Sequence, residues 1–438
     1  MIHQFEANAE EPLRKKSLTD DIRWVENDTA ILVIHGIGNQ LPLETLDQFG
    51  RGIIKTYKKN FQDEISISHQ LIDKSDNRGG VWFDNILRIS KKGSEHTIDI
   101  YEYYWANYSE DKATWRDINS WIQGVVSGAK SFYKRNAQLG YQYKDKSPFF
   151  DSKTGAFNAG TYNFFISVAS KIILALDAII RGFIWLISRI PFLGGFAESL
   201  LQSYADNAIQ GLTNVIGDVV VYNVSDPKSK FYTVKKKIQE GAVHSLRFLI
   251  ERNKVDQPFY PSVLVAGHSL GSQVAYDAIN RINLLVNQNQ IKGYDKDGIN
   301  DKTKAHISNH LKGFITFGCP LDKIIFFLRE NVPDDQYIRQ QFLDHFNGFK
   351  QRDINFNNNP SSNHNYIKAN SGLKRHLEDI QWRNYYDGHD YVSGGLDYYR
   401  GLTNIDCQFK SGRFGFTHSH YWDCEEFYQD IILHFLKQ

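Results

Sequence analysis

The chain has 438 residues, 41% of them hydrophobic, with 51 Lys and Arg against 50 Asp and Glu for a formal net charge of +1. That length can bury a large core, and the balanced charge gives no electrostatic footprint for a nucleic-acid partner. Cys319, Cys407 and Cys424 stand far apart with no C-x-x-C spacing, which argues against a disulfide framework or a thiolate zinc site. The polar start, running into Glu10-Glu11-Pro12-Leu13-Arg14-Lys15-Lys16, has no apolar core of a secretory signal, so a cytoplasmic location is expected.

After this lead-in, Ala30-Ile31-Leu32-Val33-Ile34 is a β-branched apolar run that ends in His35-Gly36-Ile37-Gly38, a buried strand followed by a glycine-permitted loop. Residues 43–61 place Leu46, Phe49, Ile53, Ile54 and Tyr57 at helical spacing. Alternation over 65–68, 85–89 and 97–101 predicts three further strands. From 107 to 204 the pattern changes to helical spacing and long apolar stretches, which marks an inserted cap.

Within that insertion, residues 164–190 are the most apolar of the chain, but Lys171, Asp177, Arg181 and Arg189 interrupt them. No run of about 18 uncharged apolar residues remains to span a bilayer. On a helical wheel the charges and serines fall within roughly 120°, which leaves a wide apolar face. Such a helix either packs on the protein body or lies at a membrane interface, so peripheral membrane contact through 164–190 is one expectation.

The core resumes near Gly217, and residues 233–253 read as a helix with Ile238, Leu246 and Leu249 inward. The apolar run Ser262-Val263-Leu264-Val265 leads into Ala266-Gly267-His268-Ser269-Leu270-Gly271-Ser272 and then into a helix-compatible segment over 273–285. A serine between two glycines at a strand-to-helix junction reads as a nucleophile elbow, so Ser269 is the candidate nucleophile. Residues 287–304 are a solvated loop, because Asp295-Lys296-Asp297-Gly298 lacks the glycine position and the glutamate of a calcium site. Gly313 to Gly318 forms the next strand, a polar insertion follows around 322–380, and 382–386 is a short strand before the turn Asp387-Gly388-His389-Asp390. Thr417-His418-Ser419-His420-Tyr421-Trp422 precedes a final helix over 427–436. No His, Asp and Glu cluster has metal-ligand spacing, Gly36-x-Gly38 lacks the third glycine of a dinucleotide loop, and no metal or cofactor is expected.

Acyl transfer needs a nucleophile, a base, an orienting carboxylate and oxyanion donors, and the chain offers them in the order Ser, Asp, His. Through His35-Gly36-Ile37-Gly38, Gly267-His268-Ser269-Leu270-Gly271, Phe317-Gly318-Cys319-Pro320-Leu321, Trp382-Arg383-Asn384 with Asp390-Tyr391-Val392-Ser393, and His418-Ser419-His420-Tyr421-Trp422, the chain resembles a lipase- or esterase-like α/β-hydrolase. The resemblance implies an α/β fold with a mostly parallel central sheet flanked by helices, its core split into 1–106 and 205–438 around the helical cap at 107–204. It implies Ser269 as nucleophile, Asp390 as acid, His418 as base, and the backbone N–H groups of Ile37 and Leu270 as the oxyanion hole. Asp387, Asp397 and Asp322 compete for the acid, and His389 and His420 for the base; His35 and His268 are expected to be structural. The expected activity is hydrolysis of a carboxylic ester, preferably a lipid or long-chain acyl ester. A small-ester esterase or thioesterase, a peptidase or amidase of the same fold, and a non-catalytic interaction or membrane-surface protein are the other readings.

Overall fold

The structure, a computed structural model, describes residues 9–13, 22–37, 40–72, 81–109, 150–161, 218–224, 227–251, 259–291, 309–321, 374–388, 392–396, 401–409 and 416–436, with a few single positions that include Phe349, Lys350, Asp390 and Tyr399. Its strands are β1 (Ala9–Pro12), β2 (Thr29–Ile34), β3 (Ile65–Leu71), β4 (Asn85–Lys91), β5 (Thr97–Tyr103), β6 (Ser262–His268), β7 (Leu311–Phe317), β8 (Gln381–Tyr386) and β9 (Leu402–Asp406). They form one sheet of nine strands in the order β1-β9-β8-β7-β6-β2-β5-β4-β3. β4 runs antiparallel to both its neighbours, and every other pairing is parallel. Its helices include α1 (Glu44–Phe61), the single turn α2 (Ala106–Ser109), α3 (Tyr232–Ile250), α4 (Leu270–Asn287) and α5 (Glu425–Ile431), the last running on into a π-helical turn at Ile432–Leu436.

β2 shows why its run had to be apolar throughout. All six of its residues are buried, because strands in the middle of a parallel sheet are covered on both faces. Ala30, Leu32 and Ile34 join the core under α3 and α4, with Ile238, Leu246, Val274 and Ile282. Ile31 and Val33 point the other way, into the core under α1 and α5 with Phe49, Ile53, Phe427 and Ile431. The period of two along the strand thus builds an α/β/α sandwich with two cores.

The two chain portions on either side of the proposed cap share this sheet. β2 lies between β5 and β6, and its register with β6 runs from Thr29 opposite Ser262 to Ile34 opposite Gly267. The His35 loop and the Ser269 elbow therefore leave the sheet side by side, at the carboxyl ends of the parallel strands, where open α/β sheets place their ligand crevices. β7 and β8 end on the same edge, followed by Gly318 and by the 387–390 turn.

Two strands went unread in the sequence. β9 is only five residues long, and β1, inside the polar lead-in, is wholly exposed and docks parallel to it at the sheet edge. Glu10, Glu11 and Pro12 suit that edge, since charge and proline discourage further strand pairing. Of the expected cap, residues 107–109 close α2 and residues 150–161 hold an isolated antiparallel bridge between Phe150 and Phe157, while 164–190 lies outside the described residues. Among the described residues no helix is long and apolar enough to cross a membrane.

Polar residues along α4 hold the margins of both insertions. Gln273 donates to Asn223 Oδ1 at 2.9 Å, and Tyr222 and Gln239 donate to Asp277 at 2.9 and 3.2 Å. Farther along, Asn280 accepts the Phe349 N–H at 2.9 Å and Asn283 donates to the Lys374 carbonyl at 3.2 Å. The elbow helix is thus the post to which chain entering from both long insertions is tied.

Candidate active site

Ser269 sits at the turn from β6 to α4 with φ 51° and ψ −128°, a conformation that costs a non-glycine residue on the order of 1–3 kcal/mol. The turn is held by the Ser269 N–H donating to the Phe317 carbonyl at 3.0 Å and the Ser272 N–H donating to the Ser269 carbonyl at 2.9 Å. Both flanking glycines answer steric demands. A Cβ at Gly267 would stand 2.6 Å from Ser272 Cα, and one at Gly271 would run into the carbonyl oxygens of Ile34 and His35. Only glycine lets the elbow close and lets α4 press against the end of β2.

His418 and Asp390, the candidate base and acid, meet beside this elbow. His418, in the short 3-10 helix Phe416–Asp423, points Nδ1 at Asp390 Oδ2, 2.9 Å away. Asp390 also accepts the Tyr421 hydroxyl on the same oxygen at 3.0 Å and the Val392 N–H on Oδ1 at 2.9 Å. Burial opposes ionisation of Asp390, but the His418 hydrogen bond and charge, the Val392 amide and the Ser393 side chain outweigh it and hold the carboxyl well below the ordinary carboxylate range. A carboxylate on Nδ1 fixes the imidazole so that Nε2 is the atom free to take a proton. Both Ser269 Oγ and His418 Nε2 are buried without a hydrogen-bond partner among the described residues. These are the two atoms an acyl-transfer site would couple, and such bonds commonly close only when substrate is bound.

The His418 ring is placed by its surroundings. A Cβ at Gly318, whose φ is +61°, would stand 2.9 Å from His418 Cε1, so the ring lies directly on the residue that follows Phe317. On its other side the His268 ring packs with centroids 4.9 Å apart. His268 Nε2 donates to the His418 carbonyl at 3.2 Å, which also settles its tautomer because a carbonyl can only accept. Burial, reinforced by the neighbouring His418, lowers the His268 pKa to about 3. A histidine held neutral in this way is a strut, as expected from the sequence.

His35 plays the same part for the facing loop. Its Nε2 accepts the N–H groups of Trp105 and Ala106 at 2.9 and 3.2 Å, so the proton is on Nδ1, 2.7 Å from the Gly36 carbonyl. The ring stacks on Trp105 at 4.7 Å, and the Trp105 indole donates to the His35 carbonyl at 3.0 Å. Burial lowers its pKa to about 4 against the Gly36 hydrogen bond. A Cβ at Gly36 would stand 2.7 Å from Ser269 Cβ. The loop that carries Ile37 therefore presses against Ser269, and Ile37 itself packs on the core. Leu270, the residue after Ser269, opens α4.

The sequence candidates separate accordingly. Ser269, Asp390 and His418 gather at one edge of the sheet, with Ile37 and Leu270 on the two loops that flank the serine. Asp387 is buried in the same turn as Asp390, but its carboxylate accepts the Phe409 N–H at 2.6 Å and its carbonyl accepts the Asp390 N–H at 3.0 Å. It shapes the turn, and the bond to His418 belongs to Asp390. His420 packs edge-on against Phe409, with ring centroids 5.8 Å apart. Asp322, His389 and Asp397 lie outside the described residues.

Tyr421, whose hydroxyl donates to Asp390, was given no role from the sequence. Its signal was its position three residues after His418, which in a helical turn brings both side chains to one face. Among the described residues no group of three His, Cys, Asp or Glu side chains could hold a metal ion. Compared with protein-family models, curated proteins and solved structures, the chain matches none.

Proposed function

We propose that the protein is a serine hydrolase of the α/β-hydrolase kind that cleaves a carboxylic ester through an acyl-enzyme. The observation that carries this reading is the 2.9 Å bond from His418 to Asp390 beside a serine in a strained strand-to-helix turn. His418 Nε2 takes the Ser269 proton as Oγ attacks the ester carbonyl, and returns it to the leaving alcohol. Asp390 stabilises the imidazolium formed in between. The N–H groups of Ile37 and Leu270 receive the developing oxyanion, helped by the positive end of α4. Water activated by the same histidine then releases the acid.

A lipid or other long-chain acyl ester is the proposed substrate class, supported by the wide apolar face that residues 164–190 carry in the sequence, with peripheral membrane contact as its corollary. A fluorophosphonate probe tests the activity. Wild-type protein is expected to form a covalent adduct on Ser269, and Ser269→Ala to form none. Folded wild-type protein that stays unlabelled would sink the reading in favour of a non-catalytic interaction protein on the same scaffold.

A further inference from the structure

Glu102 is a carboxylate that the proposed chemistry does not use. It is the penultimate residue of β5 and wholly buried, a placement that is costly for an acid unless its oxygens are occupied. They are. Oε2 accepts the Leu43 N–H at 2.5 Å and Oε1 the Thr45 N–H at 3.2 Å. Burial raises the carboxyl to about 7, and the amides of Leu43, Thr45 and Leu46 with the Thr45 hydroxyl pull against that rise. α1 has no cap of its own, since Leu43 stands before it at φ 66° with no side-chain hydrogen bond to the first turn. An acid from the neighbouring strand supplies the acceptor that a local Ser, Thr or Asp would normally provide.

The residues after Glu102 continue the pattern. The Tyr104 hydroxyl donates to the Gln40 carbonyl at 2.9 Å, and Trp105 and Ala106 hold His35 as described above. All of these anchors on the segment from His35 to Thr45 come from one five-residue stretch, 102–106, in an order that follows the loop in reverse. Ile37 lies between the anchored ends. Position along this splint should therefore set where its amide points, and oxyanion donors lose their effect when displaced.

We propose that Glu102 is a positioning residue that fixes the oxyanion loop from the end of β5, with Tyr104 as its partner at Gln40. This rests on the serine-hydrolase reading. Glu102→Gln keeps one acceptor of two and Glu102→Ala keeps none, so the rate of the bonded step should fall in that order.

The test is fluorophosphonate inactivation with the maximal rate, kinact, separated from the binding constant, KI. Kinact is expected to drop about 10-fold in Glu102→Gln and toward 100-fold in Glu102→Ala with KI unchanged, because the oxyanion donors act on the reacting centre. Tyr104→Phe, which loses only a hydroxyl, is expected to lower kinact about 3-fold and keeps the test alive where the Glu102 variants do not fold. Ile405→Val, a core truncation on β9, controls for general loss of stability and should leave kinact alone. Folded Glu102 and Tyr104 variants with wild-type kinact would overturn the proposal while leaving the hydrolase reading in place. An unlabelled wild type would instead remove the reading beneath it.

Discussion

Gly318→Ala separates backbone strain from active-site geometry. Gly318 has φ +61°, and an added Cβ would meet His418 Cε1 at 2.9 Å and Nδ1 at 3.1 Å. The left-handed backbone alone costs an alanine about 1–2 kcal/mol, a fall in Tm of a few degrees. The clash adds a different effect. Ordinary contact begins at 3.4 Å, so the imidazole must retreat by roughly 0.5 Å, and if a 1 Å misplacement costs about 100-fold, half of that costs about 10-fold. Gly93 supplies the control, since it has φ +78° with nothing within 4 Å of an added Cβ. Gly93→Ala should lose similar stability and keep its rate. Thermal melts and fluorophosphonate labelling rates on both variants check this. Equal labelling of folded Gly318→Ala and wild-type protein would refute the assignment of His418 as the base.

Two other outcomes follow from hydrogen bonds at the site. Asp390→Asn should slow labelling about 10³–10⁴-fold, because an amide no longer holds the productive tautomer or stabilises the imidazolium, whereas Asp387→Asn can still accept the Phe409 N–H and should label at close to the wild-type rate. Comparable rate losses in both would show that the acid had been misassigned. For His35, burial lowers the folded pKa from 6.5 to about 4. The unfolded chain then binds the extra proton between these values, so His35 makes stability rise with pH across that window and fall on acidification, by roughly 3 kcal/mol in all. Chemical denaturation of wild type and His35→Asn between pH 4 and pH 7 should show that slope in the first and its loss in the second; parallel curves would count against a neutral, buried His35.

Much of the frame was legible because its signals are local. β2, β6 and β7 are apolar runs that end in glycine-containing turns, and a run buried on both faces can tolerate little else. Helices α1 and α3 matched their 3.6-residue spacing to within a few residues. β9 was not legible, since Leu402-Thr403-Asn404-Ile405-Asp406 is short and carries Asn and Asp, which are poor strand formers. Asn404 is nevertheless buried there, where its side chain accepts from Asn384 at 3.0 Å and from the Leu396 N–H at 2.9 Å. The polar stripe of α4 was equally hidden. Asn280 and Asn283 bond to Phe349 and Lys374, partners that distant segments bring and no local pattern announces.

The sequence by itself singled out Ser269 as the candidate nucleophile. An elbow is a backbone requirement, met by Gly267 and Gly271 around one serine, and it can be read wherever a buried strand precedes it. It also pointed to structural parts for His35 and His268, which adjoin the turns they brace. The geometric difference between Asp390, the candidate acid implied by the resemblance, and its neighbour Asp387 belonged to the tertiary structure. Asp387 and Asp390 share a turn and a residue type, and what distinguishes them is that one faces the Phe409 amide and the other faces His418. The splint from Glu102 to Ala106 belongs to the same category, because it acts across two paired strands whose contact no local pattern announces. Short-range steric and hydrophobic demands are written in consecutive residues, whereas the partner of a side chain depends on strand order, which forms only when residues hundreds of positions apart pack together.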